Sequence, residues 1–164
     1  MTERQNSDGD IRAGHLRQND FLGAFAVVET EAGILMVQNR RCIGGREVLT
    51  WDLPGGQVEP SETLVAALGR ELKEEVNLVL LGDPSLLFVQ EGLRTTGGKV
   101  DYAWRSFFFA IARTEGLPAA SSEVLALRWV QRSDLPGLLT APYHDSFLLW
   151  LKTGGNFFTS AWQE

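Results

Sequence analysis

One cysteine, Cys42, and two histidines, His15 and His144, are all the thiol and imidazole ligands that this 164-residue chain carries. A single thiol closes no intrachain disulfide, and a thiolate zinc cluster is excluded with it. A metal site therefore has to be assembled from oxygen ligands, which suits Mg²⁺ or Mn²⁺ better than zinc or copper. Basic residues are scarce too: 15 Lys and Arg stand against 21 Asp and Glu, for a net charge of −6. No run of them could follow a phosphate backbone, so long nucleic acid is not an expected partner. A small phosphorylated substrate stays compatible, because a bound divalent cation supplies the positive charge that the protein lacks. Nowhere do about 18 uncharged apolar residues run together, and the N-terminal stretch has no apolar signal core. No membrane association is expected, and the chain reads as cytoplasmic and soluble.

What is present is enough apolar sequence, 44% of the residues, to bury one compact core. Residues 1–19 are polar and without periodicity, so a flexible N-terminal tail is expected there and a single domain over residues 20–164. FLGAFAVVET and ILMVQNR read as a hairpin across EAG, RRCIGGRE as a loop, and EVLTWDL as a strand. PGGQVEPS interrupts regular structure, and SETLVAALGRELKEEV reads as a helix with Ser61 as N-cap, Glu62 in its first turn and Asn77 as its left-handed end. Beyond it come LVLL, the strand LLFVQEG, a polar hairpin tip LRTTGGK and a long aromatic strand, DYAWRSFFFAIAR. The loop TEGLPAASSE leads into the strand VLALRWVQ, SDLPGLL forms a turn or short helix, and PYHDSFLLWLK is a terminal helix. This order predicts an α/β fold with a mixed sheet sandwiched between helices. NFFTSAWQE leaves Phe157, Phe158 and Trp162 needing cover from the same subunit or from a neighbour, which keeps a homodimer open.

The central helix breaks its own pattern. At about 100° per residue, Leu64, Ala67 and Leu68 form an apolar stripe that continues into Glu71 and Glu75, with Glu74 at its edge and Arg70 and Lys73 pointing elsewhere. A solvated charged face is the plain alternative, but these carboxylates share the face that meets the protein. Carboxylates in the last turn oppose the macrodipole, and like charges at i and i+4 cost a few tenths of a kcal/mol. A divalent cation among the oxygens removes that repulsion and keeps them ionised. Gly69, inside the helix, either permits close packing or is simply tolerated at a cost of up to about 1 kcal/mol.

Gly56, five residues, Glu62, seven residues, then Arg70, Glu71, Leu72, Lys73, Glu74, Glu75, Val76, Asn77 and Leu78 resembles the signature of the Nudix hydrolases, in which a bulky aliphatic follows the RE pair and ends the motif. Asn77 stands where that family usually has glycine, and Asn is the next most tolerant residue there. The likeness extends from residue 21 to about residue 152. It implies a Nudix-like α/β/α sandwich, Mg²⁺ or Mn²⁺ as cofactor, and hydrolysis of a pyrophosphate bond in a nucleoside diphosphate linked to another moiety, such as a nucleotide, a nucleotide sugar or ADP-ribose.

By the same resemblance Glu74 and Glu75 are the leading metal ligands, Glu71 is a third ligand or the general base, and the Gly56 carbonyl contributes from the loop. Glu62 and Arg70 are the pair that holds loop to helix. Glu123, in the loop before a later strand, is either a further ligand or base, or a plain surface glutamate. Arg40 and Arg41, at the end of the second strand, either reach substrate phosphates or are solvated hairpin arginines. Trp51, Tyr102, Trp104 and Phe107 offer faces for stacking on a base, with ordinary core packing as the alternative for each. A nucleotide-binding sensor or interaction module that does not turn over is the competing reading; retention of Glu71, Glu74 and Glu75 favours the hydrolase.

Overall fold

The computed structural model describes residues 20–164, and the tail expected over residues 1–19 lies outside the described residues. Two strands with no polar face set the architecture. Along β1 (Phe21–Thr30), Ala24, Ala26 and Val28 join one apolar cluster while Phe25 and Val27 join another. Along β2 (Gly33–Ile43), Leu35 and Val37 face the first cluster, Ile34 and Met36 the second. Side chains alternate across a strand, so apolar residues at every position demand cover on both faces.

The cover is helical. After β3 (Arg46–Asp52) and β4 (Gly55–Gln57), helix α1 (Leu64–Val76) lays Ala67, Leu68, Leu72 and Val76 on the first face. Strands β5 (Val79–Leu80), β6 (Ser85–Thr96), β7 (Lys99–Ile111), β8 (Thr114–Glu115) and β9 (Ala126–Val130) follow. Helices α2 (Leu135–Leu138) and α3 (Asp145–Thr153), with a 3₁₀ turn at Pro142–His144 between them, cover the second face through Leu135 and Phe147. Phe147 lies nearly parallel to Phe108, which stacks on Phe88 with ring centres 4.2 Å apart. The main sheet runs β10 (Phe157–Gln163), β6, β7, β1, β2, β3, with β4 added to β1 and β9 to β2. Pairs β1/β7 and β6/β10 are parallel and the others antiparallel. The expected α/β/α sandwich with a mixed sheet is the structure found. No helix among the described residues is long and apolar enough to cross a membrane.

Strands β1 and β2 pair only at their shared turn, through Glu29 with Ile34 and Thr30 with Gly33. Away from it the sheet splits, and β4 enters the split to pair with Gly23, Ala24 and Phe25. The loop that carries Gly56 is thereby built into the sheet, directly under α1.

Several boundaries differ from the sequence expectations. RRCIGGRE is a hairpin rather than a loop and LRTTGGK is the hairpin tip expected, because Gly44–Gly45 and Gly97–Gly98 each place two successive residues at positive φ, the turn geometry that matches strand twist. The N-cap of α1 is Thr63, whose Oγ1 accepts from Ala66 N–H at 3.2 Å, not Ser61. Ser61 has φ of 67° and turns the chain before the helix starts, which leaves Glu62 outside the first turn. Asn77 ends the helix in the left-handed region at φ 58°, as expected. NFFTSAWQE is not loose: β10 buries Ser160 and Trp162, and Phe158 meets Phe88 edge-on at 5.5 Å. Of the three aromatics needing cover, the same chain covers two and leaves Phe157 57% exposed.

Candidate active site

Glu75 is buried on the inner face of α1, where its Oε2 accepts a hydrogen bond from Gly55 N–H at 2.9 Å. Burial pushes its pKa up to about 7, aided by the charges of Glu71 and Asp52 and opposed by the Gly55 N–H and by Arg41. Gly55 has φ of 139° and its α-carbon faces Ala24 O so closely that no side chain fits. Glu71, one turn earlier, leans on Gly56: a β-carbon there would stand 2.6 Å from Oε1. Burial raises the Glu71 pKa as well, with Arg70 acting against it and the charges of Glu74 and Glu123 adding to it. Glu74 is the outer member, its side chain 42% exposed.

Arg70 does not point away, as the helical angles alone suggest. It turns back across the glutamates, bonding Glu62 through Nε and Nη2 at 3.0 Å, Glu71 at 2.8 Å, Glu74 at 2.9 Å and Gln57 O at 3.0 Å. The long side chain and planar fork of arginine make this reach possible. The Glu62–Arg70 pairing expected from the sequence is thus present, and it ties the loop to the helix. Glu123 is exposed beside this group, in a loop held to the end of α1 by Ala119 N–H on Val76 O and Ser121 N–H on Glu75 O.

A cavity of about 280 Å³ opens on the other side of the β3–β4 connection, walled by Phe21, Tyr102, Trp104, Phe108 and Trp162, with Arg41 at its edge. Its floor holds Asp52, buried and saturated. Oδ1 accepts from His144 Nε2 at 2.8 Å and Tyr143 OH at 3.1 Å; Oδ2 accepts from Thr50 Oγ1 at 2.8 Å, Asn39 Nδ2 at 3.0 Å and Arg41 Nη2 at 3.3 Å. Ala141 N–H donates to His144 Nδ1 at 3.1 Å, so the ring hydrogen is on Nε2 and points at Asp52. Burial alone would raise the Asp52 pKa, but the bonds from His144 and Asn39 and the charge of Arg41 hold it well below the usual carboxylate range. The same carboxylate, together with burial, pushes the Tyr143 hydroxyl up to about 12.

Gly56, Glu71, Glu74, Glu75, Glu62, Arg70 and Glu123 are therefore brought together by α1 and the loops packed against it. Arg41, Tyr102 and Trp104 line the adjoining cavity. Arg40 faces away from it and pairs with Glu47 at 3.3 Å, Trp51 packs against the second core cluster, and Phe107 against the first. The Asp52, Tyr143 and His144 network was not foreseen. Its one sequence signal is the pair of polar residues Thr50 and Asp52 at alternate positions of a strand, which share a face and are both buried.

The donor set suits a hard cation, being all oxygen, largely buried and mutually repulsive. As they stand Glu71 and Glu74 share Arg70 Nη1 and Glu75 accepts from Gly55 N–H, and among the described residues no three Asp, Glu, His or Cys side chains form a ready-made ligand cluster.

A family model described as NUDIX domain matches residues 20–151. The 8-oxo-dGDP phosphatase NUDT18 of Mus musculus is 37% identical over 137 residues, which is 79% of this chain and 38% of that protein. NUDT18 of Homo sapiens is 32% identical over 128 residues, 76% of this chain and 35% of that one. The chain thus spans little more than a third of the length of these relatives. Among solved structures, the mMutator MutT protein from Bacillus halodurans has the same fold, with a TM-score of 0.69 at 20% identity over 87% of this chain and 90% of that chain. By its match over most of its length and a signature complete but for Asn77, the chain belongs to the Nudix hydrolase family.

Proposed function

We propose that this chain hydrolyses the pyrophosphate bridge of a nucleoside diphosphate derivative, with Mg²⁺ or Mn²⁺ held by Glu71, Glu74, Glu75 and the Gly56 carbonyl. The observation that carries the reading is adjacency: Glu75 is hydrogen-bonded to Gly55, in the same short β3–β4 connection whose Asp52 and Leu53 line an aromatic cavity. One substrate laid across that connection would place its bridge by the glutamates and its base in the cavity.

A divalent cation bound there would neutralise charge on the bridge and ease deprotonation of the attacking water. The chain's own residues do the rest. Arg41 spends one nitrogen on Asp52 and keeps the remainder of its fork for phosphate oxygens at the cavity edge. Tyr102 and Trp104 give the base aromatic faces, with Gln90 and Ser106 as polar contacts. Glu123 takes the proton from water, being exposed and without a side-chain partner among the described residues, whereas Glu71 is engaged by Arg70. Since the relatives NUDT18 are named for 8-oxo-dGDP, that compound is the first substrate to try.

The deciding experiment is a screen of 8-oxo-dGDP, 8-oxo-dGTP, dGTP, nucleotide sugars, ADP-ribose, dinucleoside polyphosphates and coenzyme A, read by phosphate release with and without added phosphatase. Turnover of at least one nucleoside diphosphate derivative with Mg²⁺ or Mn²⁺, abolished by EDTA, is expected. Binding of nucleotide without hydrolysis of any member would replace the enzyme with a sensor.

A further inference from the structure

The cavity has a wall that the family match does not include. The match ends at residue 151, and β10 runs from Phe157 to Gln163. Its Trp162 is 8% exposed and lines the cavity together with Tyr102, Trp104 and Phe108. Resting on the reading of this cavity as the base subsite, we infer that β10 is a selectivity wall: Trp162 packs against the heterocycle of the nucleotide, and Arg94 and Glu164 hold it there as positioning residues.

Three observations converge on this. The Arg94 guanidinium lies 4.5 Å from the centre of the Trp162 ring and 5.7 Å from that of Tyr102, in a cross-strand row that sets it between two cavity aromatics. Glu164 fixes that guanidinium, accepting from Nη2 at 2.7 Å, and its other oxygen accepts from Gly44 N–H at 3.0 Å. Gly44 is in the turn of the β2–β3 hairpin, whose Arg41, Cys42 and Ile43 line the opposite side of the same cavity. Glu164 N–H on Thr95 O and Gly97 N–H on Glu164 O complete the seam to the β6–β7 hairpin. The end of β10 thus buckles two hairpins together around the opening, and Trp162 is the residue it sets in place.

The chemistry of the walls indicates what they receive. Eight Phe, Tyr and Trp rings and a single arginine face a space that is already anionic at Asp52, so a planar heterocycle is accommodated and a phosphate chain is not. Asp52 has five donors and no capacity left to read a base edge. Selectivity then depends on the shape and stacking of the walls, of which Trp162 is the one supplied from outside the family match.

Two measurements test this together. One is equilibrium binding of 8-oxo-dGMP, dGMP and UMP in EDTA, which needs neither metal nor turnover. The other is kcat and KM for the best nucleotide of the substrate screen. Trp162→Ala is expected to raise Kd and KM in parallel by about tenfold or more, with the preference among the three bases narrowed, while kcat changes less than about threefold. Trp162→Phe should recover most of the binding. Glu164→Ala, which removes no cavity atom, should raise KM by about threefold, and Glu164→Gln, still an acceptor for Gly44 N–H, should recover part of it. Thermal melts of each variant separate a lost wall from a lost fold; if Trp162→Ala does not fold, the Phe and Glu164 variants decide. Unchanged Kd, KM and base preference in folded variants would overturn the role of β10 while leaving the hydrolase reading intact. A wild-type protein that neither binds nor hydrolyses any nucleotide would overturn both.

Discussion

Gly56 and Glu71 compete for one space. A β-carbon on Gly56 would lie 2.6 Å from Glu71 Oε1 and 2.8 Å from its carboxyl carbon, so this carboxylate rests on bare backbone. The contact is with the far end of a flexible side chain, which can move aside, and Gly56 has no positive φ that a side chain would strain. Gly56→Ala is therefore expected to damage function more than fold. A displacement of about 1 Å at a reacting group costs on the order of a hundredfold in rate, and kcat should fall by roughly that much while Tm drops by no more than about 4 °C. A comparable loss in both, seen by steady-state kinetics beside a thermal melt, would place the glycine's importance in folding.

Glu75→Gln separates the same two roles at a buried position. Its carboxylate carries a burial penalty that the Gly55 N–H only partly relieves, and a glutamine oxygen can accept that bond without a charge. In EDTA the variant should melt at the wild-type temperature or above it. With Mg²⁺ present its kcat should be lower by about a hundredfold or more. Wild-type turnover in this variant would remove Glu75 from the site.

Asp52 gives the fold a pH dependence of definite sign. Its folded pKa is depressed from the ordinary value of 3.8, so the stability it contributes is complete above about pH 4 and is lost as pH falls through the lower folded pKa. Asp52→Asn keeps the shape but loses the charge that His144, Arg41 and Tyr143 are arranged around. It should cost about 2–4 kcal/mol at pH 7. Urea unfolding at pH 7, 5 and 3 should show the gap between wild type and variant nearly constant over the first two and narrower at the third. A gap that widens on acidification would contradict the charged network.

Much of this site was legible in the chain because helical periodicity is strict. Once Leu64, Ala67 and Leu68 face inward, Glu71 and Glu75 have to follow, and both are buried or nearly so. Charge direction was less legible. A helical wheel sends Arg70 outward, yet its guanidinium returns over the glutamates because a long side chain is not confined to the bearing of its β-carbon. The cavity was least legible: Asp52, Tyr143 and His144 are separated by some ninety positions and meet only because the 3₁₀ turn of residues 142–144 packs beside β3. Nothing local in WDLPGG or PYHD announces that meeting. The same limit hid β10, whose alternation of Phe158, Ser160 and Trp162 is strand-like but whose parallel partner, β6, lies far back in the sequence.

Gly69 resolves in favour of a tolerated residue, since a β-carbon there would meet nothing within 4 Å. Gly69→Ala should accordingly stabilise the protein by about 0.5–1 kcal/mol, raising Tm by about 1–4 °C, through helix propensity alone. Activity should be unaffected. A melt that falls would reveal a packing role that the structure does not show.

Glu123 offers the sharpest division between chemistry and scaffold. It is exposed, no described residue bonds its side chain, and its backbone N–H on Ser121 Oγ at 3.1 Å is independent of the carboxylate. Its charge nevertheless reaches Glu71, adding to the rise in that pKa, so the exposed carboxylate is near enough to the glutamate cluster to act there. If it accepts the proton of the attacking water, Glu123→Gln should lower kcat by about a hundredfold or more, with nucleotide Kd in EDTA and Tm both near wild type. Glu123→Asp, which keeps the base but shortens its reach, should fall between the two. A Gln variant with full turnover would return Glu123 to the surface and transfer the role of base to Glu71.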